Sequence, residues 1–112
     1  MTYEEIFAKS REIIMKSDVS GIDKRLAVEV RIIGEGEGTF YIALIDGVLA
    51  VEPYDYRDND CRFIIKGKDF LKLADGSLDP VAAFTLGKLK IEGSIEKALE
   101  FKEIIDRVHS KK

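Results

Sequence analysis

Apolar positions along the chain change period, and each period predicts an element. Tyr3, Ile6, Phe7, Ser10, Ile13 and Ile14 recur at helical spacing on one face, with Lys9, Arg11, Glu12 and Lys16 mostly on the other. Thr2, with Glu5 three residues on, makes a capping box for this first helix. After a short connection, Leu26, Val28, Val30 and Ile32 alternate with Ala27, Glu29 and Arg31, the period of a half-buried strand. The glycine-rich run 34–38 reads as a hairpin loop. Residues 40–45 are apolar on both faces and predict a central strand covered on both sides. Asp46-Gly47 predicts a type I′ hairpin, because both residues tolerate the positive φ it needs. Residues 48–52 continue the meander. A polar loop, 53–60, leads to Cys61, Phe63 and Ile65, which alternate with Arg62, Ile64 and Lys66.

The second half changes character. Phe70, Leu71, Leu73 and Ala74 predict a short helix, ended by Gly76 in a left-handed conformation. Asp79 as N-cap and Pro80 at the first helical position predict another, ended by Gly87. Leu89 and Ile91 alternate with Lys88 and Lys90 in a short strand that stops at Gly93. Ser94 caps a last helix whose apolar face is Ile95, Ala98, Leu99, Phe101, Ile104, Ile105 and Val108. The predicted order is helix, four strands, two short helices, strand, helix. The fold class is α+β: a largely antiparallel five-stranded sheet with helices packed on one face.

Length and composition narrow this further. The chain has 112 residues, 46% apolar and 35% charged, which suits one domain spanning 1–112 with one core. The net charge of -3 is spread among interleaved acids and bases, without the basic stripe of a nucleic-acid binder. No apolar run approaches the ~20 residues that span a bilayer, so stable membrane insertion is not expected. The charged start lacks the apolar segment of a signal peptide, and a cytoplasmic location is expected.

Candidate chemistry is sparse. Cys61 is the single cysteine, which excludes an intrachain disulfide, and its strand position predicts a buried structural thiol. The glycines at 34, 36 and 38 are followed by a strand rather than a helix, unlike a phosphate cradle. Asp55, Asp58, Asn59 and Asp60 make an acidic loop without EF-hand spacing, better suited to solvation than to metal. His109 is the single histidine and lies near the chain end, where it suits a helix dipole better than a catalytic base. The carboxylate pairs Glu4/Glu5 and Glu100/Glu103 occupy surface-like helix positions. Neither a catalytic constellation nor a metal or cofactor site emerges, and the expectation is a protein that is not an enzyme. The apolar residues of the second half are compatible with either a solid core or a lined pocket.

The segment from Cys61 to Gly93 resembles the sterol carrier protein-2 (SCP2) domain. The resemblance rests on Asp69-Phe70-Leu71, Gly76-Ser77-Leu78-Asp79-Pro80, Ala83-Phe84 and the run Gly87-Lys-Leu-Lys-Ile-Glu-Gly93. Phe40-Tyr41-Ile42 and the Asp46-Gly47 hairpin resemble its central meander. The likeness implies a small stand-alone member of that family. It also implies an apolar tunnel between sheet and helices for a sterol, acyl chain, acyl-CoA or phospholipid that is bound without being transformed. Phe84 and Leu99 stand where such domains contribute pocket wall. Leu99 replaces a position that is polar in some members, which implies a more uniformly apolar pocket. The expected ligand-binding residues are Phe63, Ile65, Phe70, Leu73, Phe84, Leu89, Ile91, Leu99 and Ile104. The chain end, 109–112, is not the peroxisomal Ser-Lys-Leu type. The competing expectation is an accessory protein-interaction module with a closed core and no bound lipid, in which Tyr54 and Tyr56 make the contacts. Any protein partner is unknown at this level.

Overall fold

The computed structural model describes residues 1–109, with side chains described through Arg107. Its elements are α1 (Tyr3–Ile14), β1 (Leu26–Ile33), β2 (Gly38–Ile45), β3 (Val48–Glu52), β4 (Cys61–Lys66), α2 (Gly67–Ala74), α3 (Pro80–Thr85), β5 (Leu89–Gly93) and α4 (Ile95–His109). The local signals act as their chemistry dictates. Thr2 and Glu5 close the capping box of α1. Asp46 and Gly47 turn the β2–β3 hairpin at φ 54° and 79°. The Asp79 side chain accepts from the Ala82 N–H at 3.1 Å, and Ser94 accepts from Lys97 N–H at 3.1 Å.

The strands form one sheet in the order β3-β2-β1-β4-β5. Every pair is antiparallel except β1 with β4. The expected meander therefore runs only through β1, β2 and β3. The chain then crosses back through loop 53–60 and lays β4 beside β1 in the same direction. Asp60 fixes that crossover: its backbone N–H donates to the Ala27 carbonyl at 2.7 Å, and its carboxylate accepts from the Ala27 N–H at 2.8 Å.

Register sorts the side chains between two faces. Val28, Val30 and Ile32 of β1 align with Ile42 and Phe40 of β2 and with Cys61, Phe63 and Ile65 of β4. With Val51 and Leu89 they form the inner face. The helices cover it with Ile6, Ile14, Phe70, Leu73, Ala98, Phe101, Ile104 and Ile105, all buried in one cluster. Edge-to-face contacts run through this core from Phe7 to Phe40 to Phe70, at 5.5 Å in each case, and from Phe63 to Phe101 at 5.3 Å. Each such pair contributes about 1 kcal/mol beyond its buried area. Ser17 Oγ donates to the Ile104 carbonyl, and the Arg107 guanidinium donates to the Ser20 carbonyl, so the connection after α1 is tied to α4.

The outer face is different, and here one expectation is corrected. The β2 run was expected to be covered on both sides. Its outer residues Tyr41, Ala43 and Ile45 lie instead on the face away from the helices, within a cleft bordered by loop 53–60. Glu29 is the second surprise. It alternates with the core positions of β1, yet it is only 4% exposed. Its carboxylate pairs with Arg62 and accepts the Tyr56 N–H at 2.9 Å. Glu29, and then Glu92, push the Arg62 guanidinium still further above its ordinary value.

Candidate functional site

α3 carries the unusual feature of the fold. It is only 6 residues long, and it buries its small residues rather than its large ones. Pro80 and Ala83 face the core, while Val81 and Phe84 lie outward, 48% and 46% exposed. Leu86, just past its end, is also exposed. α4 packs against α3 and β5 and exposes Ile95 and Leu99 in its first turns. Five large apolar side chains thus remain in water on elements that touch one another. Scattered exposed hydrophobes are ordinary, whereas a concentration on adjacent elements makes this surface the candidate site.

The residues expected to line a ligand site divide into two groups. Phe63, Ile65, Phe70, Leu73, Leu89 and Ile104 are buried within the common core cluster. Phe84 and Leu99 sit on the surface, and Ile91 is half-buried on the inner side of β5, paired with Phe63. Ile91 packs against the core from its edge. Val81, Leu86 and Ile95 belong with Phe84 and Leu99 but were absent from the expectation. Val81, three residues before Phe84, and Ile95, four before Leu99, share a helical face with them, a signal that could have found these two; Leu86 lies past the end of α3 and has no such spacing.

Three larger clefts lie elsewhere. One of about 470 Å³ on the outer sheet face is lined by Tyr41, Ala43, Ile45, Val48, Ala50, Asp55 and Tyr56. A second, of about 700 Å³, opens beside Ile6, Ile33, Lys66, Lys68 and Lys88. A polar third, of about 570 Å³, lies among Glu29, Arg31, Arg57 and Arg62. A gap of about 10 Å³ touches Leu26, Leu44 and Ile104. That is about the smallest space that admits one water.

Groups that could do chemistry are engaged or insulated. Cys61 is buried, and desolvation, aided by Asp60, pushes its thiol up to about 12. Such a thiol is not a nucleophile at neutral pH. In the acidic loop, Asp60 anchors the chain crossover and Asn59 donates to the Tyr56 carbonyl. No metal-ligating cluster of three or more such side chains exists among the described residues. The His109 side chain lies outside the described ones.

The strands thus make an α+β domain with a five-stranded mixed sheet, helix-covered on one face, and an exposed apolar surface near its β5 edge. The chain belongs to the SCP-2 sterol transfer family, whose profile matches residues 4–106. It is 31% identical over 81 residues to sterol carrier protein 2 of Arabidopsis thaliana, covering 72% of this chain and 66% of that protein. It is 32% identical over 81 residues to hydroxysteroid dehydrogenase-like protein 2 of Bos taurus, covering 70% of this chain but 19% of that one. The chain therefore spans less than two thirds of either relative. In structure it is similar to palmitated SCP2L2 of Aedes aegypti, with a TM-score of 0.67, 18% identity, and coverage of 94% and 95% of the two chains. That likeness establishes the fold. No helix among the described residues is long and apolar enough to cross a membrane.

Proposed function

We propose that the chain binds the apolar part of a lipid, an acyl chain in the first instance, and holds it without transforming it. The site is the surface of α3, β5 and the start of α4. Phe84 and Leu99 form its mouth, with Val81, Leu86 and Ile95 around them. Ile91 and the core residues Phe63, Leu89 and Ile104 lie behind. One observation carries this reading: α3 turns Val81 and Phe84 to water and grips the core only through Pro80 and Ala83. A helix held by so little buried surface costs little to displace. A tunnel between sheet and helices would form by its outward movement. The palmitated state of the Aedes protein supports an acyl ligand for this shared fold.

The driving force is burial. Each methylene removed from water contributes about 0.8 kcal/mol. A palmitoyl-length chain gains on the order of 10 kcal/mol, less several for lost freedom on binding. Among the described residues this surface is apolar side chains, and the single cysteine is buried in the core, so the domain serves as holder rather than catalyst. The competing module reading keeps the core closed and places a protein at Tyr54 and Tyr56 of loop 53–60 instead. Gentle purification, solvent extraction and mass spectrometry, with displacement of a fluorescent fatty acid, test the proposal. Co-purified lipid and saturable displacement are expected. Lipid-free protein that binds no acyl probe overturns it.

A further inference from the structure

We propose a second binding site, on the opposite side of the sheet, for a small organic cation with apolar substituents, of the alkylammonium class. It occupies the cleft of about 470 Å³ on the outer face of β2 and β3. This site is independent of the lipid reading and lies across the sheet from the α3–α4 surface.

The cleft has a floor, a corner and a charge. Ala43 and Ala50 are register partners and supply the floor, small enough to leave a depression between larger neighbours. Ile45 and Val48, also register partners, line its hairpin end, and Val48 is among the most exposed large hydrophobes. Tyr41 and Tyr56 form the corner, with ring centroids 4.9 Å apart and planes at 64°. Asp55 belongs to the lining of this cleft and also to that of the adjoining polar cleft with Arg31, Arg57 and Arg62, and Glu52 stands opposite Tyr41 in register. Neither carboxylate makes an ion pair among the described residues. None of the lining residues is cationic. Arg57 lines the adjoining polar cleft, and Arg25 reaches the Tyr56 hydroxyl from outside at 3.4 Å.

The aromatic wall is built in advance. Tyr56 donates its N–H to Glu29 at 2.9 Å, and its carbonyl accepts from Asn59 at 2.7 Å. Buried Glu29, paired with the partly exposed Arg62, thereby anchors the Tyr56 backbone beside Tyr41, and a preformed wall lowers the ordering cost of binding. Burial, and then Glu52, Tyr56 and Tyr54, raise the Tyr41 hydroxyl above its ordinary range. An anion would be repelled here. A neutral apolar ligand would desolvate Asp55 without pairing it. A cation with methyl or methylene substituents satisfies the carboxylate, the ring faces and the apolar floor together.

Choline and its neutral carbon isostere, dimethylbutanol, are the probes, followed by amide NMR on the full chain. Choline is expected to shift Ala43, Ala50 and Tyr56 saturably, and at least about tenfold more tightly than the isostere. Asp55→Asn, an exposed position, and Ala50→Leu, which fills the floor, are each expected to abolish the shifts while the remaining spectrum stays native. Phosphatidylcholine vesicles distinguish the source of the cation. If only vesicles shift these signals, and Asp55→Asn abolishes that, the cation is a lipid headgroup. If neither choline nor the vesicles shift them, if the isostere matches choline, or if both variants bind as before, the proposal is overturned. Lipid displacement by a fatty acid probe is unaffected in either case.

Discussion

Phe84→Ala and Phe70→Ala remove the same ring from two sides of the core boundary, and they should fail in different ways. Phe70 is fully buried and packs edge-on against Phe40 at 5.5 Å. Its truncation should cost about 3–5 kcal/mol of folding stability. Phe84 is 46% exposed, so about half of what truncation removes is already in water. Its folding cost should be about 1–2 kcal/mol. The exposed half is what a ligand would cover. A phenylalanine ring offers about 200 Å² to burial. Half of that, at about 25 cal/mol per Å², is about 2.5 kcal/mol, or roughly fiftyfold in affinity. Urea unfolding and displacement of a fluorescent fatty acid measure the two quantities separately. If Phe84→Ala unfolds as easily as Phe70→Ala and binds the probe unchanged, Phe84 is a core residue and the reasoning fails.

Glu29→Ala leaves Arg62 able to find water and Glu92, so the loss should be about 2 kcal/mol in unfolding free energy, with faster hydrogen exchange at the Tyr56 amide. Gly87→Ala and Gly93→Ala both place a side chain at positive φ, 79° and 95°, and each incurs about 1–2 kcal/mol for that alone. An added Cβ at Gly87 meets open space, whereas at Gly93 it meets the Asp60 carbonyl at 2.8 Å, so Gly93→Ala should melt at a clearly lower temperature. The Cys61 thiol should resist thiol reagents in the native state and react on unfolding. Its folded pKa is about 12, above the ordinary value of 9.0, so unfolded chains lose that proton first. Stability linked to this group is therefore complete below pH 9 and falls as pH rises toward 12, by at most about 1.4 kcal/mol per unit.

Much of the architecture was legible because its signals are local. Asp46-Gly47, Gly76, Asp79-Pro80 and Ser94 each act through their own backbone conformation or a cap a few residues away. The two-residue alternation in β1 and β4 identified the buried side of each strand. The parallel β1–β4 pair was not legible, since it depends on Asp60 clasping Ala27 across the sheet. The burial of Glu29 was hidden for a similar reason: its partners Arg62 and Tyr56 are distant in sequence. The candidate site was half legible. Val81 and Phe84 share a helical face that reads as core by periodicity. The protein instead seats Pro80 and Ala83 inward, a choice made by the packing of α3 rather than by its own pattern. Sequence could therefore name Phe84 and Leu99, but not their outward placement.

Nuclear Overhauser contacts from a bound fatty acid's methylene protons to labelled methyl groups give the most direct test of the α3–α4 lipid site. The account predicts contacts to Leu86, Ile91, Ile95 and Leu99, with none to Ile45 or Val48 on the other face. A fatty acid that fails to bind, or that contacts only the outer face, would contradict it.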